Sequence, residues 1–187
     1  MENSRDGNTI SRRDLLKAGG ITAAGVLATS VAKSPVFAVA PGRVIGANDR
    51  INVGIVGVGG QGGHHLRLVK GHPAETNVKT VAVCDVFDKR TQWALSEAEL
   101  PAGKGCRDYR KLLEDKDIDA VIIGTPEHWH AQIAIDSMES GRHVYIEKPM
   151  CRTLEEIEQL LAIAEKTGMV VQVGAQGCTD RKWHVAG

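Results

Sequence analysis

An α/β fold built on a doubly wound parallel sheet is what this 187-residue sequence predicts, on three observations. From residue 51 onward, short apolar runs rich in β-branched residues alternate with longer stretches of helical periodicity, as parallel strands joined by crossover helices require. A cluster of glycines separates the first strand-like run from the first helix-like one, where the backbone must turn sharply. The composition is that of a globular domain, with 42% hydrophobic residues but only three Trp, two Tyr and two Phe, so the core must be aliphatic. The 23 basic and 23 acidic side chains cancel, which leaves no field to draw nucleic acid or an anionic membrane.

The elements follow in order. The first strand is Ile51-Asn52-Val53-Gly54-Ile55-Val56, and Gly57-Val58-Gly59-Gly60-Gln61-Gly62 comes directly after it as G-x-G-x-x-G. A helix over residues 63–70 stops at Gly71. The second strand, residues 78–84, ends in Asp85. A helix over 88–100 is halted by Pro101, a short third strand lies at 104–107, and a helical turn covers 109–114. The fourth strand is 118–123; Thr125 then serves as N-cap and Pro126 as first helical residue of a helix reaching Ser140. The fifth strand is 143–146. Thr153-Leu154-Glu155-Glu156 forms a capping box, and Leu154, Ile157, Leu160, Leu161 and Ala164 line one face of the helix that ends at Gly168. A sixth strand covers 169–173, and six strands suffice for the spatial order 3-2-1-4-5-6.

Residues 1–40 differ in kind from the rest. Ser11-Arg12-Arg13-Asp14-Leu15-Leu16-Lys17 precedes an uncharged run from Ala18 to Ala32, 15 residues that are too few and too mildly apolar to span a bilayer. The pattern resembles a twin-arginine (Tat) export signal, with Leu15 where Phe is commoner. Gly19, Gly20 and Gly25 argue against the alternative of a stable amphipathic helix. Cleavage after Ala38 or after Ala40 stays open, and a periplasmic or exported location is expected. The cysteines at 84, 106, 151 and 178 have no close spacing and are read as scattered small residues; a disulfide would need an oxidising compartment.

The glycine motif has a physical use, because main chain without Cβ atoms can approach a diphosphate at the positive end of a helix. Asp85, 23 residues past Gly62, is placed to accept hydrogen bonds from the adenosine ribose. The simpler alternative is a tight turn followed by a helix cap. Asp85 favours NAD by repelling a 2′-phosphate, whereas Lys89 and Arg90 could accept one, so NADP stays open. In such sheets ligands sit at the carboxyl ends of the strands. Gly57 to Gly62, Asp85, Thr125 to His130, Glu147 to Pro149 and Gly174 to Gln176 all fall there. His128 and His130, two apart on a helix, face different ways and are not expected to share a metal ion. His64 and His65 carry no assigned chemistry, and Trp93 and Trp129 are read as packing residues.

Together, Val53-Gly54-Ile55-Val56-Gly57-Val58-Gly59, Val83-Cys84-Asp85, Thr125-Pro126-Glu127-His128-Trp129-His130, Glu147-Lys148-Pro149 and Val173-Gly174-Ala175-Gln176 resemble the glucose-fructose oxidoreductase and inositol dehydrogenase family (Gfo/Idh/MocA) over residues 50–176. The resemblance implies a Rossmann domain at 48–176 and an NAD(P)-dependent oxidoreductase acting on sugars, polyols or related hydroxylated compounds. Lys148 would be the catalytic residue, its ammonium stabilising a developing alkoxide or relaying a proton. Gly57, Gly59, Gly60, Gln61, Gly62, Asp85, Thr125, Pro126, His128, Glu147, Lys148 and Gln176 would bind the cofactor, with Glu147 and the Thr-Pro segment at the nicotinamide ribose. From chemistry alone Glu147-Lys148 could be a solvated charge pair, as a lone pair of this kind usually is, and His128 is equally a structural residue.

Family members continue into a second α/β domain, and residues 177–187 are read as its opening. The chain is therefore expected to be the nucleotide-binding part, with little turnover alone and with homo-oligomers only when that domain is present. The expected partners are a sugar or polyol and the Tat machinery. Two further readings are NAD-assisted glycoside hydrolysis and a non-catalytic NAD-binding module.

Overall fold

The computed structural model describes residues 50–72 and 77–177. The leader at 1–40 and the stretch 178–187, including Cys178, lie outside the described residues. Within them β1 (Ile51–Val56) leads into α1 (Gly60–Gly71), followed by β2 (Val78–Cys84), α2 (Asp88–Glu97), β3 (Gly105–Cys106), α3 (Tyr109–Leu113) and β4 (Ala120–Ile123). Then come α4 (His130–Glu139), β5 (His143–Glu147), α5 (Leu154–Thr167) and β6 (Val171–Gly174). The sheet has six strands, all parallel, in the order β3-β2-β1-β4-β5-β6. This is the doubly wound Rossmann arrangement that the alternation predicted.

Strand alternation divides the core in two. Ile55 and Val83 pack with Val58, Leu66 of α1 and Ala94 of α2. Their neighbours Val56 and Cys84 face the opposite way, joining Val121, Ile123, Val144 and Ile146 against Leu112, Ile133, Met138 and Leu160 from α3, α4 and α5. Each such aliphatic side chain contributes about 1.5–3 kcal/mol on burial, so the sheet is held by both layers at once. Among the described residues no helix is long and apolar enough to cross a membrane.

Several boundaries differ from the sequence reading. The helix after the glycine loop begins at Gly60, inside the motif, with Gly59 as its N-cap. α2 ends at Glu97, and Glu99 takes φ +55 before Pro101. β4 starts two residues later than expected, at Ala120; just before it the Asp119 N–H donates to the Asn52 carbonyl, its carbonyl accepts the His143 N–H, and its Oδ2 accepts the Asn52 N–H at 2.8 Å. β6 begins at Val171 rather than 169, and Val170 is left exposed. The Thr125 cap is corrected as well. Pro126 is extended (ψ 147), a 3-10 turn over Glu127–Trp129 follows, and α4 begins only at His130.

The capping box of α5 is present, with Arg152 added to it. Thr153 Oγ1 accepts the Glu156 N–H at 3.3 Å, Glu156 Oε2 accepts the N–H of Arg152 at 2.6 Å, and hydrogen bonds from the Arg152 and Thr153 backbone draw the Glu156 carboxyl down. Gly168, at φ 69, stops the helix as expected. The apolar face is corrected: Leu160 is buried with Ile163 and Ala164 against the core, while Leu154 and Leu161 are 73% and 57% exposed. Leu154 and Leu161 lie roughly 100° around the helix from Leu160, outside the stripe that meets the sheet.

Candidate functional site at the strand tips

A cleft of about 610 Å³ opens over the carboxyl ends of β1, β2 and β4. Of the residues singled out from sequence, Gly57, Gly59, Gly60, Asp85, Thr125, Pro126 and His128 line it. The glycines divide by function. Gly57 has φ +82, and a Cβ there would lie 2.7 Å from the Thr125 nitrogen. Gly62 is packed where its Cβ would lie 1.8 Å from the Gly57 carbonyl oxygen, so it brings α1 against the β1 turn rather than facing the cleft. Gly60 borders open space, with nothing within 4 Å of its Cβ position. That vacant approach, at a helix N-terminus, is what a diphosphate needs. Gln61 and Gly62 do not line the cleft.

Asp85 is only 6% exposed, and both its oxygens are engaged. Oδ2 accepts the Val58 N–H at 3.0 Å, and Oδ1 accepts the Phe87 N–H at 2.9 Å. The carboxylate thus ties the glycine loop to the loop after β2, and each oxygen keeps a second lone pair for a hydroxyl. Arg90 lies over Gly59, with Nη1 3.2 Å from the glycine's Cβ position, and its guanidinium is 5.9 Å from the Phe87 ring centroid. Opposite, Thr125 Oγ1 is a buried oxygen without a hydrogen-bond partner among the described residues. A buried polar atom left so is costly, and its place beside a cleft marks it for a ligand.

Glu147, Lys148 and Gln176 do not line this cleft but gather at the neighbouring tips of β5 and β6. Glu147 is 4% exposed; its Oε1 lies 2.6 Å from His65 Nε2, and its Oε2 accepts from Gln176 Nε2 at 3.1 Å. Gly174, the β6 register partner of Glu147, leaves the room in which the Tyr145 and Glu147 side chains lie. Burial, with the Glu147 charge adding to it, pushes the Tyr145 phenol up, so it stays neutral. Lys148 itself is exposed, followed by a cis Pro149.

Two residues of the site escaped the sequence reading. His65 is one. His130 is the other: it is buried, with Nε2 2.8 Å from the Thr125 carbonyl oxygen and Nδ1 2.7 Å from that of Pro149, so it links the Thr-Pro loop to the lysine's loop. Little in the local sequence marks either, since Glu147 and Pro149 lie on other elements and only the Thr125 carbonyl is near in sequence. Trp129, read as packing, is half exposed at the cleft and meets the Tyr109 ring edge-on. Tyr109 donates to Asp136 at 2.5 Å, and burial together with that carboxylate pushes its phenol up. Cys84 and Cys106, far apart in sequence, are register partners on β2 and β3 and both free thiols. Their mutual hydrogen bond, with burial, pushes the Cys84 thiol up; the same hydrogen bond draws Cys106 down against the opposing effect of burial. Among the described residues no cluster of His, Cys, Asp or Glu is arranged to hold a metal ion.

Residues 51–175 match the family GFO_IDH_MocA, described as "Oxidoreductase family, NAD-binding Rossmann fold". A "Glycosyl hydrolase family 109 protein" of Shewanella pealeana is 36% identical over 174 residues, covering 84% of this chain and 38% of that protein. An "Alpha-N-acetylgalactosaminidase" of Shewanella oneidensis is 36% identical over 177 residues, covering 86% of this chain and 38% of its own length. The solved scyllo-inositol dehydrogenase of Lactobacillus casei, with bound NAD(H) and scyllo-inositol, superposes with a TM-score of 0.68 at 27% identity, over 74% of this chain and 40% of that one. The chain therefore spans about two fifths of the length of these relatives.

Proposed function

This chain belongs to the GFO_IDH_MocA oxidoreductase family, with its NAD-binding Rossmann fold, and from that premise we propose that it is the nucleotide-binding part of an NAD(P)-dependent enzyme that moves a hydride between the cofactor and a sugar or polyol. The observation that carries this reading is the convergence of an open glycine cradle, a buried carboxylate and a Glu-Lys-Pro loop on one edge of the sheet. The nicotinamide, when bound, supplies the hydride acceptor or donor. Gly59 and Gly60 would receive the diphosphate, Asp85 the adenosine ribose, and Thr125 Oγ1 would find there the hydrogen-bond partner that the described residues do not provide. Pro126, His128, Glu147 and Gln176 would hold the nicotinamide end. Lys148, exposed on a pinned loop, would bind the reacting oxygen and hold or release its proton. Asp85 disfavours a 2′-phosphate, so NAD is the preferred form. Calorimetric titration of the chain is expected to give saturable heat with NAD and weaker binding of NADP. No heat with either removes the reading. In the enzyme that includes the second domain, absorbance at 340 nm should change on addition of the correct sugar.

A second reading has its own support in the relatives named as glycosyl hydrolases. There, transient oxidation of the sugar would let the glycosidic bond eliminate, and the cofactor would be restored. Release of the aglycone with no net change at 340 nm would identify it.

The leader is the basis of a third proposal, export by the twin-arginine route after folding, which would let the domain load its cofactor in the cytoplasm. Residues 1–40 fused to a folded reporter should carry it across the inner membrane, and Arg12→Lys with Arg13→Lys should abolish that transfer. Export unchanged by the double substitution would rule out this route.

A further inference from the structure

We propose that His65 is a positioning residue that couples the diphosphate helix to the lysine loop, an inference that rests on the cofactor reading above. His65 lies in the second turn of α1, the helix whose first residues form the cradle. Its Nε2 sits 2.6 Å from Glu147 Oε1, and the two side chains are only 13% and 6% exposed, so water competes little for the contact. The Tyr145 ring meets the imidazole edge-on at 5.0 Å and fixes its plane. Gln176 occupies the other Glu147 oxygen, so that carboxylate is held on both sides.

Lys148 follows Glu147 directly, and on its far side the Pro149 carbonyl is held by His130. The lysine thus sits on a short loop clamped at both flanks while its own side chain remains exposed. The clamp on the His65 side comes from α1, so whatever seats α1 against a diphosphate also sets Glu147, and with it the position of Lys148 relative to the nicotinamide end. Contacts to adenosine and diphosphate do not pass through this pair. The consequence is a split: loss of the His65 hydrogen bond should weaken ligands that reach the nicotinamide riboside and spare those that stop at the diphosphate.

The test compares NADH with ADP on the full 187-residue chain, by nicotinamide fluorescence and by calorimetry. His65→Leu, which keeps bulk but removes the ring nitrogens, is expected to weaken NADH about tenfold and leave ADP within about twofold. His65→Gln, which returns a donor at similar reach, should recover most of the NADH affinity. Glu147→Gln, which also alters the Gln176 contact and the nicotinamide end itself, should weaken NADH at least as much, and adding His65→Leu to it should cost little more, because the His65 contact is already lost. Unchanged NADH affinity in His65→Leu, equal loss of NADH and ADP, or additive losses in the double variant would each overturn the proposal. ADP binding by the unaltered chain separates the two levels. Its absence removes the cofactor reading and this proposal with it, whereas ADP binding with no split removes this proposal alone.

Discussion

Gly62→Ala is expected to destabilise the domain by about 3 kcal/mol or more, lowering the unfolding temperature by roughly 10 °C, and to abolish nucleotide binding. The cause is geometric. A methyl group at residue 62 would lie 1.8 Å from the Gly57 carbonyl oxygen and 2.9 Å from its carbonyl carbon, and both atoms are backbone. No side chain can swing aside to relieve it, so α1 must back away from the β1 turn. That movement opens the packing of Leu66 against Ile55 and Val83, and displaces the N–H groups of the first helical turn from the cleft.

The informative control is Gly60→Ala, two residues earlier in the same motif. Its Cβ meets nothing within 4 Å, and alanine favours a helix by up to about 1 kcal/mol over glycine. Stability should hold or rise. The new methyl group would nonetheless stand where the diphosphate approaches, so NAD affinity should fall about tenfold or more. Denaturant midpoints and calorimetric titrations of the two variants separate the effects. If Gly62→Ala unfolds at the same midpoint as the parent, the close packing of helix on turn is not what this glycine supplies; if Gly60→Ala binds NAD as the parent does, the diphosphate does not approach over this residue.

The same contrast explains which parts were legible in the sequence. Sheet order and the glycine loop were readable because their causes are local: β-branched runs, helical periods, and residues chosen for lacking a Cβ. Asp85 was readable because a strand end fixes its place. Thr125 misled because a Thr-Pro pair has the form of a helix start, whereas here extended Pro126 leads into a 3-10 turn and the hydroxyl finds no partner among the described residues. The α5 face misled because its leucines and isoleucines cover two overlapping stripes, and only contact with the sheet decides which one is buried. His65 with Glu147, His130 with Thr125 and Pro149, and Cys84 beside Cys106 were illegible for a different reason. Apart from His130 on the Thr125 carbonyl five residues back, each is a contact between elements, and no period or spacing along the chain records it.

Asp85 is where the fold and the site make demands on one side chain, and its substitution should show both. Asp85→Ala leaves the Val58 and Phe87 N–H groups without their acceptors, and hydrogen bonds to a charged group are worth about 1.5–3 kcal/mol each. Since Phe87 is partly open to water, the expected loss of stability is about 2–4 kcal/mol, with NAD binding weakened at least about tenfold. Asp85→Asn distinguishes the roles. Its single carbonyl oxygen can satisfy one of the two N–H groups, its amide turns a donor toward the other, and it carries no charge to repel a 2′-phosphate. With the Arg90 guanidinium already over Gly59, NADP should then gain on NAD by about tenfold or more in relative affinity. A brace without a ribose contact predicts something else, equal losses for NAD and NADP that scale with the fall in stability. Measuring both affinities and the denaturant midpoint for Asp85→Asn therefore decides whether this buried carboxylate selects the cofactor or only holds the loop that receives it.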